Sequence, residues 1–423
     1  MSTAPIRSGD GMDKNIRIAV VGGGAAGMMA AGTALRSGAD VTVFEHMGRL
    51  GKKLAITGKG RCNVTNDSTV TEILENVTKN PRFLFGAMNA LPPSSVMSLF
   101  EELGVPLKTE RGNRVFPVSD KAIDIVNALK KYSSDAAVVF SKVTSVKKAD
   151  SQFIVNASGK EYIFDRVILA TGGRSYPLTG SDGSGFRLAR SLGHSVTELL
   201  PSLVPLESDS PFCGMMQGLS LKNVGITVTD KNGKALYSDF GEMMFTHFGV
   251  TGPLILSASA HLCGMDFEGV KLLIDLKPAL DEKTLDARII SDFTSNVNKD
   301  FINSLSALLP TKMIEPFVTY TGIDPRKKVN SITKEERKKI LSALKGFVIP
   351  LKGTRPIEEA IITSGGVSTK EIIPKTMESK LTPGLYFAGE MIDVDAYTGG
   401  YNLQIAFATG YLAGKSAAEW SLE

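Results

Sequence analysis

Residues 16–21 form an apolar run rich in β-branched side chains, broken only by Arg17, and predict a buried parallel strand. The run passes into Gly22-Gly23-Gly24-Ala25-Ala26-Gly27, and residues 28–36 continue with helix formers (Met, Ala, Leu). A second apolar strand, residues 41–44, ends in Glu45. The same pattern returns twice. Residues 165–170 predict a buried strand ending in Thr171-Gly172-Gly173, and residues 384–388 a short strand ending in Gly389-Glu390. A polar turn (393–400) then precedes an apolar helix expected over about 402–416. In the middle of the chain, residues 201–277 alternate short β-rich runs, such as 225–229 and 270–275, with Gly or Asn-Gly punctuation, as in a small barrel. From 281 to 346 the pattern turns helical. Thr333-x-x-Glu336 predicts a capping box ahead of Ile340, Leu341 and Leu344 on one face.

The first strand, glycine turn, helix and second strand make a complete nucleotide-binding unit. Gly22, Gly24 and Gly27 fit G-x-G-x-x-G: the first permits the tight turn, the second lets backbone approach a pyrophosphate, and the third lets helix and strand pack closely. The helix N-terminus presents free N–H groups and partial positive charge to that pyrophosphate. Glu45 stands where an acid accepts hydrogen bonds from adenosine ribose hydroxyls.

The late segment decides which dinucleotide. Glu390 can hydrogen-bond a ribityl chain, and the N-terminus of the helix beginning near Asn402 and Leu403 can point its positive end at a flavin N1–C2=O edge. A nicotinamide dinucleotide would not need this second grip, so FAD is expected, held without a covalent bond. Residues 54–66 contain two glycines, two cations and four small polar side chains, which suits either a loop wrapped on a cofactor or an ordinary glycine turn.

Composition narrows the class. Of 423 residues, 43% are apolar and 22% charged, and a net charge of +4 is too small for this length to argue for nucleic acid. Cys62, Cys213 and Cys263 are odd in number and widely spaced, so neither a disulfide framework, a metal site nor a redox dithiol is supported, and a reducing cytoplasm fits. No apolar run reaches membrane-spanning length. The polar leader, residues 1–15, carries no signal-peptide pattern; disorder is expected there, with Met12 as an alternative start.

The glycine fingerprint, the 58–66 loop, Ala-Thr-Gly-Gly (170–173), the 245–253 segment, Thr-Ser-Gly-Gly-Val (363–367) and the 386–404 segment together resemble the BaiN-like flavoproteins of the glutathione-reductase-type FAD superfamily. The resemblance implies an α/β fold: a three-layer, Rossmann-type FAD-binding domain (16–200 and part of 347–423) with an inserted β-barrel domain (201–280) and a small helical domain (281–346), the barrel closing after residue 347. Cofactor contacts are then expected at Gly22, Gly24, Ala25, Ala26, Gly27, Glu45, Lys53, Gly60, Arg61, Cys62, Asn63, Thr65, Val143, Thr171, Gly172, Gly389, Glu390, Asn402 and Leu403. The superfamily's usual late acid is Asp, and this branch has Glu390. Family members include NADH-linked reductases of bile-acid enones and aminoacetone-type amine oxidases.

For the proton donor, Tyr397, Tyr401 and His247 are the candidates, although a structural role is the simpler reading of His247. Cys62 reads as a packed thiol. The basic residues 326–328, 337–339 and 345 give the helical domain a positive face, usually only solvated, that can steer a phosphate-bearing substrate such as a coenzyme A thioester. No second strand-linked fingerprint is present; Gly180-x-x-Gly183-x-Gly185 has the wrong spacing. NAD(P)H therefore visits transiently, or electrons come from the substrate and leave to oxygen. The leading expectation is NAD(P)H-dependent reduction of a C=C conjugated to a ketone in a ring substrate such as a 3-oxo bile acid. An amine oxidase making peroxide and a non-catalytic or RNA-modification-linked flavoprotein are the alternatives. The expected protein is a monomer or homodimer acting on a small molecule, with no stable nucleic-acid or membrane partner.

Overall fold

The structure, a computed structural model, describes residues 15–419, so the leader through residue 14 with Met12 lies outside the described residues. Five strands form one parallel sheet in the order Leu385–Phe387, Arg166–Leu169, Arg17–Val21, Asp40–Phe44, Ala137–Val139. The continuous apolar runs of the inner strands Arg17–Val21 and Arg166–Leu169 follow from burial on both faces, whereas the edge strand Ala137–Val139 is largely exposed. One layer over the sheet is helical, led by Ala25–Arg36 and the closing helix Tyr401–Ala418. The other is a three-stranded antiparallel sheet (Val143–Ala149, Gln152–Ala157, Lys160–Phe164), which packs through Tyr162 and Phe164 edge-on to Phe44. This is the expected Rossmann-type, three-layer architecture.

Between Asp40–Phe44 and Ala137–Val139 the chain makes an excursion of short helices, among them Val70–Glu75, Pro93–Glu102 and Ala122–Tyr132, and a small antiparallel sheet of Thr65–Asn66, Leu107–Glu110 and Arg114–Pro117. The sequence pattern had assigned nothing to most of it.

A second core lies in the insertion. Seven antiparallel strands follow the order Phe347–Pro350, Lys271–Asp275, Ser220–Thr229, Ala235–Thr246, Gly249–Thr251, Leu206–Glu207, Gly353–Thr354. Leu272 pairs with Ile349, so the helical segment is itself an insertion between two neighbouring strands. Its last helix, Lys334–Lys345, starts with the capping box read from the sequence: the Glu336 N–H donates to Thr333 Oγ1 and the Thr333 N–H to Glu336 Oε2. Leu200–Ser202 pairs with Ile362–Ser364 where the chain leaves and re-enters the first domain. Among the described residues, no single helix is long and apolar enough to cross a membrane.

Candidate active site

A cavity of about 350 Å³ opens at the C-terminal ends of the parallel strands, the usual ligand position in such sheets. Gly22 has φ +108°, and a Cβ there would lie 2.4 Å from the Ala170 carbonyl oxygen. A Cβ on Gly27 would lie 1.8 Å from the Gly22 oxygen, which is why helix and turn can meet only through glycine. Gly24 differs, since a Cβ there would meet nothing within 4 Å. Gly24, Ala25 and Ala26 line the cavity, and no side chain caps the helix that starts there. Its first-turn amides are therefore aimed at open space.

A second helix end converges on the same space. Gly400, with φ +101° and the Thr65 backbone 2.3 Å from a would-be Cβ, caps Tyr401–Ala418 without a side-chain acceptor. The Asn402 side chain is not directed at a ligand: it receives the Ala396 N–H and donates to the Ala396 and Tyr397 carbonyls, closing the turn. Asn402 and Leu403 line the cavity as the first turn of that helix. Asn63 adds one more polar group, for its buried Oδ1 has no partner although it borders the cavity. Two uncapped helix ends and an orphaned acceptor suit a ligand that brings phosphates and hydrogen-bond donors, and so fit FAD.

Glu45 borders the cavity with its oxygens accepting the Gly23 and Met47 N–H groups at 2.9 and 2.8 Å, so it shapes the turn it was expected to serve from the ribose side. Glu390 departs further from expectation. Its Oε1 accepts from Ser175 Oγ (3.0 Å) and the Thr363 N–H (2.8 Å), and Oε2 from Lys53 Nζ (2.8 Å). Burial pushes this carboxyl up, but the Lys53 ammonium and the surrounding donors overcome it and hold Glu390 below the usual carboxylate range. Lys53 and Glu390 both line the cavity as expected, and the carboxylate expected to reach a ribityl chain is at the same time paired with Lys53, which is also bonded to Ser175.

Val143, Thr171, Gly172 and Gly389 line the cavity, while other expected contacts do not. Gly60 and Arg61 lie outside it. The Arg61 guanidinium sits between Glu110 and Asp120 and over the Phe116 ring, because the Leu107–Glu110 and Arg114–Pro117 hairpin brings Glu110 to it and the turn after Pro117 brings Asp120. Cys62 is fully buried with φ +61°, and burial pushes its thiol up to about 12, which leaves it inert. Thr65 stands one layer behind, donating to Gln404 Oε1. Gly27 is spent on packing.

His247 is exposed on the turn between Ala235–Thr246 and Gly249–Thr251, away from the cavity, and cannot serve as its acid. Tyr401 packs over Gly399 behind the wall. Tyr397 does line the cavity, near Leu203, Ile361, Ile362, Val394 and Leu403. Its hydroxyl lies 2.5 Å from His261 Nε2. No motif marks His261, which follows an apolar helix of the insertion (Pro253–Ala260) and meets Tyr397 across 136 residues of chain. The expected basic face is partly cancelled: Lys327 pairs with Glu336, Lys328 with Asp300, Arg337 with Asp286 and Lys345 with Asp275, while Arg326, Lys338 and Lys339 are exposed without an ion pair among the described residues.

Residues 16–416 match the family model described as the HI0933-like protein Rossmann domain. The chain is 32% identical over 420 residues (95% of this chain, 99% of the relative) to the 3-dehydro-bile acid delta(4,6)-reductase of Clostridium scindens. It is 31% identical over 404 residues (93% and 96%) to the ribosomal RNA dihydrouridine synthase of Haemophilus influenzae, and 28% over 397 residues (93% and 95%) to that of Escherichia coli. Among solved structures, 3-ketosteroid delta1-dehydrogenase from Sterolibacterium denitrificans shares the fold, with TM-score 0.51, 13% identity and coverage of 96% and 99%.

Proposed function

The chain belongs to the HI0933-like Rossmann-domain family and is an FAD-dependent oxidoreductase, and from that premise we propose that it reduces a carbon–carbon double bond conjugated to a ring carbonyl, with NAD(P)H as electron source. The observation that carries this is one cavity whose lining combines two uncapped helix ends and the Asn63 acceptor with apolar Leu203, Ile361 and Val394 and with Tyr397. The relatives support the bond type. A 3-dehydro bile acid with a delta-4 bond is a conjugated enone, and dihydrouridine is uridine with its bond conjugated to the ring carbonyl saturated.

Bound FAD, once reduced, supplies a hydride to the carbon β to the carbonyl. The first-turn amides at Gly24–Ala26 would hold its pyrophosphate, Glu45 its adenosine ribose, and Asn63 a donor of its ribityl chain or ring. The apolar wall excludes water and takes a flat ring. The leading substrate is a 3-oxo bile-acid or steroid-like compound. The second reading is a uridine in ribosomal RNA, favoured by the two dihydrouridine synthases and compatible with the exposed Arg326, Lys338 and Lys339 of the helical domain.

Purified protein is expected to be yellow and to release FAD on heating. Glu45→Ala should weaken FAD binding by about 1.5–3 kcal/mol, the range for hydrogen bonds to charged groups, read by fluorescence titration of the apoprotein. Anaerobic stopped-flow tests the reaction. Bleaching by NADH or NADPH, followed by reoxidation with a 3-oxo-delta-4 steroid but slowly by air, supports the leading reading. Reoxidation only by unmodified ribosomal RNA selects the second. Bleaching by a primary amine, with peroxide on admitting oxygen, would overturn both.

A further inference from the structure

Among the described residues Tyr397 is the one phenol lining the cavity, and its position is held from three sides. Its N–H donates to the Asn76 carbonyl, its carbonyl accepts from Asn402, and its hydroxyl meets His261 Nε2. His261 belongs to the barrel insertion, so this contact joins the two domains at the edge of the cavity. On its other side the imidazole stacks on Tyr237 (centroids 4.8 Å apart), whose hydroxyl donates to Asp239. His261 is exposed, whereas Tyr397 is half-buried and borders the cavity. A path two side chains long thus links bulk water to the place where a substrate ring would sit.

We propose that Tyr397 and His261 form a proton relay for the reduction, with Tyr397 as the acid that protonates the substrate and His261 as the positioning residue that reloads it. The relay rests on the conjugated-reduction reading. Hydride addition to the β-carbon moves the π pair to the α-carbon and carbonyl oxygen. The Tyr397 O–H bond then breaks as a C–H bond forms at the α-carbon, and the phenolate takes the proton from His261 Nε2–H. The imidazolium that gave the proton is left as neutral imidazole, which hydronium or buffer acid from bulk solvent reprotonates. The sum is one hydride and one proton added across the double bond.

Local electrostatics agree with this direction. Burial raises Tyr397 above the usual phenol value, with Asp239 adding to the effect, so the phenol keeps its proton near neutrality. Burial lowers His261, so its protonated form is a stronger acid towards a phenolate but is the minority form near neutrality, and reloading should quicken as pH falls. The groups nearby are Tyr237 and Asp239 on the barrel strand, with Asp395 and Lys79 near Cys263 two positions further on.

The test uses FAD-loaded full-length protein and cyclohex-2-enone as probe. Tyr397→Phe should leave bleaching by NADH within about twofold and slow reoxidation by the enone roughly 100-fold, the low end for a lost general acid. His261→Ala should slow the same phase less, and added imidazole should restore it because the site is open to solvent. A second readout needs no turnover: the NMR titration of the His261 ring should shift in Tyr397→Phe apoprotein. Enone reoxidation at wild-type rate in Tyr397→Phe, or an unmoved His261 titration, overturns the relay. Wild-type protein that NADH bleaches but no enone reoxidises overturns the reduction reading instead.

Discussion

Lys53→Met is expected to destabilise the folded protein by about 3 kcal/mol, because it strands the Glu390 carboxylate inside the wall of the cavity. Loss of one partner of a fully buried pair costs roughly 3–5 kcal/mol, and the lower end applies since Lys53 and Glu390 remain 24% and 18% exposed. The remaining donors, Ser175 and the Thr363 N–H, lie on the other oxygen and cannot replace an ammonium at Oε2. Removing the charge as well, in Lys53→Met with Glu390→Gln, should recover much of the loss, because a neutral amide carries a far smaller desolvation cost. Urea unfolding of the apoproteins at pH 7 measures both. A single-variant cost under about 0.5 kcal/mol, the ordinary surface range, would show that the pair holds nothing together. The pH dependence has a definite sign. Glu390 is held below its ordinary value, so its stabilisation is complete above the usual carboxylate range and fades as pH falls through the lowered value. The gap between wild type and Glu390→Gln should therefore stay constant above about pH 5 and shrink in acid.

This pair also shows where the sequence stops being informative. The strands Arg17–Val21 and Asp40–Phe44 and the glycine turn between them are legible because most of their signals are local, within about thirty positions: continuous apolar runs report burial on both faces, and Gly27 reports its contact with Gly22 within one βαβ unit, although the close approach of Gly22 to Ala170 is not local. The Thr333–Glu336 capping box is legible for the same reason. Lys53 and Glu390 stand 337 positions apart, and nothing local tells a carboxylate bound to a lysine from one waiting for a ligand. Arg61 misleads in the opposite sense. In a glycine-rich loop it reads as a phosphate grip, yet Glu110 on a later hairpin and Asp120 in the turn after it neutralise it. His247 lies in a conspicuous motif and faces solvent, while His261, in no motif, meets Tyr397 because the insertion folds back onto the first domain. Spacing along the chain carries local geometry; the partners of charged and titratable groups are set by which distant elements pack together.

The closing helix gives the second large effect, through contacts that its apolar sequence conceals. A Cβ on Gly410 would lie 2.4 Å from the Ala26 carbonyl oxygen, and one on Gly414 2.2 Å from that of Ala30. The two small residues are four apart on each helix, so Ala25–Arg36 and Tyr401–Ala418 meet backbone against backbone along one seam. That seam sets where both N-termini point. Each is also pinned at its own end, the first by Gly27 on Gly22 and the second by Gly400 on Thr65, so the helices cannot part without moving the amides that face the cavity. Gly410→Val with Gly414→Val is expected to cost about 2–6 kcal/mol, at 1–3 for each overpacked site. Val is the better helix former by a few tenths of a kcal/mol, so a loss of that size must come from the contact rather than from the helix itself. FAD affinity should fall with stability, since the two helix ends no longer converge. Lys415→Leu, which adds apolar volume on the exposed face beside the seam, should stay within about 0.5 kcal/mol of wild type. Thermal unfolding of the apoproteins and FAD titration decide the matter. A double variant with wild-type melting temperature and wild-type FAD affinity would mean that the two helices are not held at backbone contact, and that something other than this seam aims their amides into the cavity.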